Sequence, residues 1–336
     1  GSSWMRLNNN LPAVPVHDIE VKGEDLCIAT FGRSFWILDD ISPLRQTSGD
    51  LAGAAHLFEP RDHTRFGINW WALYGGGVGG GQKNYFVQNG RVGHTFIELG
   101  VVNGERKRRF LDAGDARPRG AIIYYTLPEG ARDVSLAILD SEGRTVSSYE
   151  GEAVSAQPGL NRMVWGMTYP DVVRIPGKPP AGVRLEARPG TYRAQLTVDG
   201  QTQTQAFELH INPNETWTQV DADARFALWM RLRGIFEKAH TEINAAMAAA
   251  EKAGEDSETA KRAAAFSGKL VPMGANLSQI ANEPPKLLSK LQSVNWVLFH
   301  SEGRPPQSAY DVVDEMEPLV EAEIAAWREF LAGAGE

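Results

Sequence analysis

The amino-acid sequence predicts a mainly β protein that ends in an α-helical bundle. Three observations predict it. Residues 16–38 and 120–210 break into short apolar runs separated by Gly, Asp and Asn, the pattern of antiparallel strands joined by turns. The runs YRAQLTV and QAFELHI alternate apolar and polar residues on either side of Asp199-Gly200, as half-buried hairpin strands do. From about residue 217 the composition shifts to Ala, Glu, Lys and Leu, and apolar residues recur at helical spacing. A chain of 336 residues is long enough for two or three domains. The changes in pattern divide it at 1–50, 51–116, 117–213 and 214–336.

In residues 1–50, VHDIEV reads as a strand, KGED as a turn, LCIATF as a strand, GR as a turn and SFWILDD as a strand. This is a three-stranded meander with Ile28 and Thr30 on one face and Cys27, Ala29 and Phe31 on the other. Both faces are apolar, so both need cover, and a lone meander of this size is not stable. Sheets stacked face to face, as in propeller blades, cover both sides of each sheet. The expectation is that protein outside this polypeptide provides that cover. Cys27 lies in an alternating strand and reads as a buried packing residue.

Residues 51–116 read as a linker and a β-hairpin insertion. AHLFEPRDHTRF has the form of an edge strand stopped by proline. INWWALYGGGVGGGQ follows, and then two Asn-Gly pairs at 89–90 and 103–104, the preferred dipeptide of a tight type I′ turn. Residues 117–213 predict a β-sandwich with strands at 120–127, 133–139, 144–150, 160–166, 191–198 and 202–210, of Ig-like or fibronectin-like spacing. PDVVRIPGKPPAGVRLEARPG is too proline-rich for a central strand and reads as a long connection. In residues 214–336, Phe226, Trp229, Met230, Ile235, Phe236, Ile243 and Met247 share one helical face, and Gly254 supplies the stop. Further helices are predicted over 257–270, after Asn282 as a cap, and over 307–331. The four pieces are expected to pack as an antiparallel bundle.

The segment LPAVPVHDIEVKGEDLCIATFGRSFWILDDISPLRQ resembles the last blade of large bacterial proteins with sortilin-like or sialidase-like (BNR-type) repeat propellers. The likeness extends more loosely through RGAIIYYTL, VSLAILDSEGRTV, GLNRMVWGMTYP and PGTYRAQLTVDGQTQTQAFEL. It implies that residues 1–50 are a terminal propeller-blade segment, followed by an Ig-like domain and a helical tail. It also implies that the remaining blades lie in the same precursor or in a separate chain. Members of that family often carry a glycosyl hydrolase label, which rests on fold likeness alone.

The net charge of −8 argues against a general nucleic-acid binder. No apolar run reaches the ~18 residues of a membrane span. No signal peptide opens the sequence, and Gly1-Ser2-Ser3 reads as an expression scar. The resemblance places the native precursor outside the cytoplasm, secreted or periplasmic. YGGGVGGGQK lacks the Gly-Lys-Ser/Thr of a phosphate loop. GERKRRF is a cationic run that reads as a solvated hairpin end, or as an attraction for an acidic glycan or membrane surface. His17-Asp18 and Asp62-His63 are neighbours on strands, so each pair faces opposite ways. Asp39-Asp40 lacks the second, spaced carboxylate that glycoside hydrolysis requires. No catalytic residue, metal ligand or cofactor is expected. The ligand-binding candidates are Trp70, Trp71 and Tyr74, whose flat rings suit stacking on sugars or apolar peptide groups, and Arg33 in the first tight turn. The expected function is recognition of protein or glycan, and assembly, within a larger propeller protein. The alternative is part of a glycoside hydrolase-like enzyme whose active site lies on blades outside this chain.

Overall fold

The computed structural model describes residues 7, 9–47, 53–65, 96–102, 105–110, 120–183, 185–272, 284–301 and 303–334. They form β sheets and helices, with the long helices at the C-terminal end. The chain divides into two compact units. One comprises residues 1–63, 69–166 and 191–208; the other comprises 64–68, 167–190 and 209–336.

In the first unit, strands β1 (Val16–Lys22), β2 (Asp25–Thr30) and β3 (Phe35–Leu38) form an antiparallel meander. A short helix, α1 (Ser42–Gln46), follows with Pro43 in its first turn, where a missing N–H costs nothing. The stretch read as one edge strand is two, β4 (His56–Leu57) and β5 (His63–Arg65). They join different sheets, β4 beside β8 and β5 beside β13. Strands β6 (Phe96–Val102) and β7 (Glu105–Phe110) pair with each other around residues 103–104, as the second Asn-Gly pair predicts. The first Asn-Gly pair lies outside the described residues.

Six strands fall within a residue or so of their predicted spans: β8 (Ala121–Leu127), β9 (Val134–Leu139), β10 (Thr145–Glu150), β11 (Gly159–Trp165), β12 (Gly190–Val198) and β13 (Gln201–Ile211). Together with β4 and β5 they make a three-stranded sheet, β11-β8-β4, and a five-stranded one, β10-β9-β12-β13-β5. The β12–β13 turn has positive φ at both Asp199 and Gly200, the type I′ geometry that this dipeptide favours. The two sheets meet through Trp165, whose ring lies 5.1 Å from Tyr192 and 6.1 Å from Phe207. Buried polar groups in this layer are paired. The Tyr125 phenol donates to the Ser155 carbonyl at 2.6 Å, and Asn161 Nδ2 donates to the carbonyls of Gln157 and Gly159. Where β4 ends, the Ile122 N–H donates to His63 Nε2 at 3.2 Å, so an imidazole continues a ladder that the strand does not.

The second unit is built on α2 (Gln219–Ala253), α3 (Glu258–Leu270), α4 (Leu287–His300) and α5 (Gln307–Ala334). Thr218 and Asp221 form a capping box at the start of α2, satisfying backbone donors that a helix end otherwise leaves open. Gly254 ends α2 at φ 91°, as predicted. The N-cap of α4 is Lys286, without a side-chain bond; Asn282 lies outside the described residues.

Cross-links between helices fix their directions. Arg231 reaches Asp314 and Glu317, Lys238 reaches Glu321, and Arg328 reaches Glu242, so α2 and α5 run parallel. Trp229 Nε1 donates to Asn295 Oδ1 at 2.8 Å and Arg225 Nε to the Leu298 carbonyl at 2.7 Å, so α4 is antiparallel to α2. Phe266 stacks on Trp327 and Lys269 pairs with Glu323, so α3 is antiparallel to α5. The expected all-antiparallel bundle is therefore corrected. Two long parallel helices are bridged by two short ones running the other way, α4 along the first half of α2 and α3 along the second.

The proline-rich stretch is not a passive connection. Val172, Ile175, Val183 and Leu185 are buried in the helical core. Residues 170–174 lie along α2 as a strap held by side chains at helical spacing. Arg233 Nη1 donates to the Pro170 carbonyl at 2.6 Å, Glu237 accepts from the Val173 N–H at 3.0 Å, and Asn244 donates to the Arg174 carbonyl at 3.0 Å. Between them, His240 Nδ1 meets the Val173 carbonyl at 2.7 Å; an acceptor there makes Nδ1 the protonated nitrogen. Burial lowers the His240 pKa, against the hydrogen bond to Val173 and the charges of Asp171 and Glu237, which raise it.

The sign of the pH effect follows. Below about pH 6.5 the unfolded histidine takes up a proton that the folded one resists, so the unfolded state binds more protons and stability falls as pH drops. Urea unfolding of this unit from pH 7.5 to 5 should show that fall, and His240→Gln should flatten the slope. An identical slope in the variant would assign the effect to another group.

Candidate interaction surface

The register of the meander defines its faces. Ile19, Ile28 and Trp36 stand in one row and Val21, Leu26 and Leu38 in the next, so one face is apolar throughout. The other carries Asp18, Ala29 and Phe35, then Glu20, Cys27 and Ile37: charged at β1, small at β2, bulky and apolar at β3. Neither face is sealed. Strand β1 is exposed along its whole length. Ile19 is 59% exposed, Phe35 78% and Ile37 61%. Cys27 is a free thiol and only half-buried, not the fully buried packing residue expected.

The turn between β2 and β3 spans Phe31 to Ser34. Gly32 and Ser34 both have positive φ, and the Thr30 N–H and hydroxyl converge on the Ser34 carbonyl at 3.2 and 2.6 Å. Phe31, read as a strand residue, is in this turn, 69% exposed and stacked on His17 at 5.4 Å between ring centroids. Arg33 is exposed at the tip, and its carbonyl accepts from Trp36 Nε1 at 3.0 Å. The main chain of the turn is thus braced while its side chains point outward.

The opposite end of the meander is anchored. Asp25 Oδ1 accepts from the Asp40 N–H at 3.0 Å and from Arg61 Nη1 at 2.9 Å. The Ile41 N–H donates to the Glu24 carbonyl at 2.7 Å, and Arg45 pairs with Glu24 at 3.1 Å. Asp40 is buried in a left-handed backbone conformation, and its Oδ1 accepts from the Ser42 N–H at 3.1 Å. The Asp40 carboxylate thus ties the backbone where β3 gives way to α1. The Tyr124 pKa is raised, first by burial and then by the charge of Asp40, with Arg162 acting against both.

Of the four ligand-binding candidates, Arg33 is placed on the exposed tip; Trp70, Trp71 and Tyr74 lie outside the described residues. Asp62 and His63 take separate partners, the Glu208 N–H and the Ile122 N–H. Among the described residues no three His, Cys, Asp or Glu side chains converge to hold a metal ion. What sequence reading missed is the exposed set Ile19, Val21, Phe31, Phe35 and Ile37. The signal was present in a strand set apolar on both faces.

No family model and no curated protein matches this chain. Among solved structures, the crystal structure of CopC from Methylosinus trichosporium OB3b aligns over 30% of this chain and 84% of its own, at 19% identity and a TM-score of 0.19. A likeness at that score carries no argument about this protein.

Proposed function

We propose that this chain is the non-catalytic binding and assembly portion of a larger extracytoplasmic β-propeller protein. In this reading the meander is a terminal blade segment, the two packed sheets are an Ig-like sandwich, and the helices form the tail. The observation that carries it is the open meander, with apolar groups exposed on both faces of an anchored sheet. Apolar patches of this kind on a folded protein mark contact surfaces. The resemblance of residues 11–46 to a last propeller blade names the cover: neighbouring blades, in the same precursor or in a separate chain.

Size favours cover on both sides. Three strands about 4.8 Å apart and about six residues long make a face of roughly 300 Å². A standard protein interface takes about 800 Å² from each partner, so one face is too small by itself. A sheet stacked on each side, with contacts at the Phe31–Phe35 tip, approaches that area.

The test is a charge substitution on each face. The parent chain is expected to bind a hydrophobic dye and to exchange its β1–β3 amides quickly. Adding separately expressed propeller repeats from the same source should protect those amides. Ile19→Lys/Phe35→Lys should abolish dye binding and capture of the repeats, while changing stability by no more than about 0.5 kcal/mol, the usual range for surface sites. A parent chain that binds no dye, already protects β1–β3 and ignores the repeats would refute the reading.

A further inference from the structure

We propose that the β6–β7 hairpin is a peripheral contact for an anionic lipid surface. Among the described residues, β6 and β7 pair only with each other. A two-stranded ribbon buries too little to be stable by itself and gains from a surface to lie on. The two strands differ in chemistry. Strand β6, FIELGVV, carries no charge apart from Glu98 and is otherwise apolar; β7, ERKRRF, carries Arg106, Lys107, Arg108 and Arg109 in succession. The register places Arg109 opposite Ile97, and Lys107 opposite Gly100 next to Leu99. Ile97 is 42% exposed and Leu99 59% exposed.

Exposed aliphatics on one strand paired with a run of cations on the other select among anionic partners. A polysaccharide or nucleic acid matches the cations but leaves Ile97 and Leu99 in water. An anionic bilayer supplies headgroup charge for β7 and acyl chain for the two aliphatics, as it does for interfacial amphipathic segments. The chain as a whole has a net charge of −8, so the remainder is repelled by the same surface and contact is confined to the hairpin. No helix among the described residues is long and apolar enough to cross a membrane, so such contact would lie on the surface.

Vesicle co-sedimentation of the full chain tests this. Phosphatidylcholine vesicles containing about one-third phosphatidylserine should retain the protein at about 0.1 M salt, and pure phosphatidylcholine vesicles should not. Lys107→Glu/Arg109→Glu should weaken retention at least tenfold. Ile97→Asn/Leu99→Asn should also weaken it but leave its salt dependence intact. Unchanged hydrogen exchange in β8–β13 and α2–α5 certifies that the variants are folded. The proposal is overturned by a parent protein that ignores anionic vesicles, by equal retention on neutral ones, by charge-reversed protein that binds as well as the parent, or by retention on heparin without retention on vesicles.

Discussion

Glu186→Gln is expected to destabilise the helical unit by about 3–5 kcal/mol, the cost of breaking a buried ion pair by removing one partner. Glu186 Oε2 lies 3.0 Å from Arg225 Nη2 and 3.3 Å from Arg65 Nη1, and both arginines are buried. Arg225 also donates to the Leu298 carbonyl and stacks over Trp229 at 4.6 Å; Arg65 donates to the Ala187 carbonyl and stacks over Trp217 at 5.6 Å. These contacts hold the guanidinium groups in place, so they cannot swing out to water when the carboxylate is lost. Burial, with Arg65 adding repulsion, pulls the Arg225 pKa down to about 10 even with Glu186 opposing the shift, so the Arg225 guanidinium stays charged at neutral pH. Gln keeps the shape and removes the charge that separates two like charges. Urea unfolding, with hydrogen exchange to assign the loss to α2 and α4, is the measurement. Adding Arg225→Met to Glu186→Gln should recover part of it, because the repulsion goes with the second cation. A loss below about 1 kcal/mol would show that the two arginines are compensated by other groups.

Gly120→Ala should cost the sandwich unit about 3 kcal/mol or more, combining backbone strain and overpacking of about 1–3 kcal/mol each. Gly120 has φ 145°, outside the range that side chains favour, and a Cβ there would stand 2.3 Å from the Trp165 carbonyl oxygen. The obstruction is backbone, so no rotamer change relieves it. The strand that carries it cannot retreat freely either, because the Trp165 ring is fully buried against Tyr192 and Phe207. At roughly 2–4 °C per kcal/mol for a unit of this size, the melting temperature should fall by about 10 °C. Gly143→Ala separates the two causes. Its φ is 80° but nothing lies within 4 Å of the added carbon, so only the strain of about 1–2 kcal/mol remains. Equal losses at the two positions would remove the steric argument.

The sandwich strands and the helices were legible because their signals are local. A two-residue alternation, an Asp-Gly pair or a Gly stop reports on its own neighbourhood, so the sandwich strands fall within a residue or so of their predicted spans, whereas α4 is capped at Lys286, four residues past the expected Asn282. The proline-rich stretch was legible only in part. Its lack of strand character is local, but burial of Val172, Ile175, Val183 and Leu185 depends on a helix that starts more than thirty residues later. His63 and Glu186 carried no signal either, since their partners Ile122, Arg65 and Arg225 are distant in sequence. For the interaction surface, the apolar character of both meander faces was readable from residues 16–38, whereas the outward position of Phe31 depends on a four-residue turn with two left-handed positions.

By itself the amino-acid sequence determined the meander, the sandwich strands and the four long helical segments, and that the first sheet is apolar on both sides; backbone conformation and side-chain alternation are properties of neighbouring residues. The tertiary structure decided which way the helices run, which unit takes up the proline-rich strap, and that the first sheet keeps its apolar faces in contact with solvent. Those outcomes depend on long-range burial and on pairing charges that the chain brings together only when folded, and no window of neighbouring residues contains both partners.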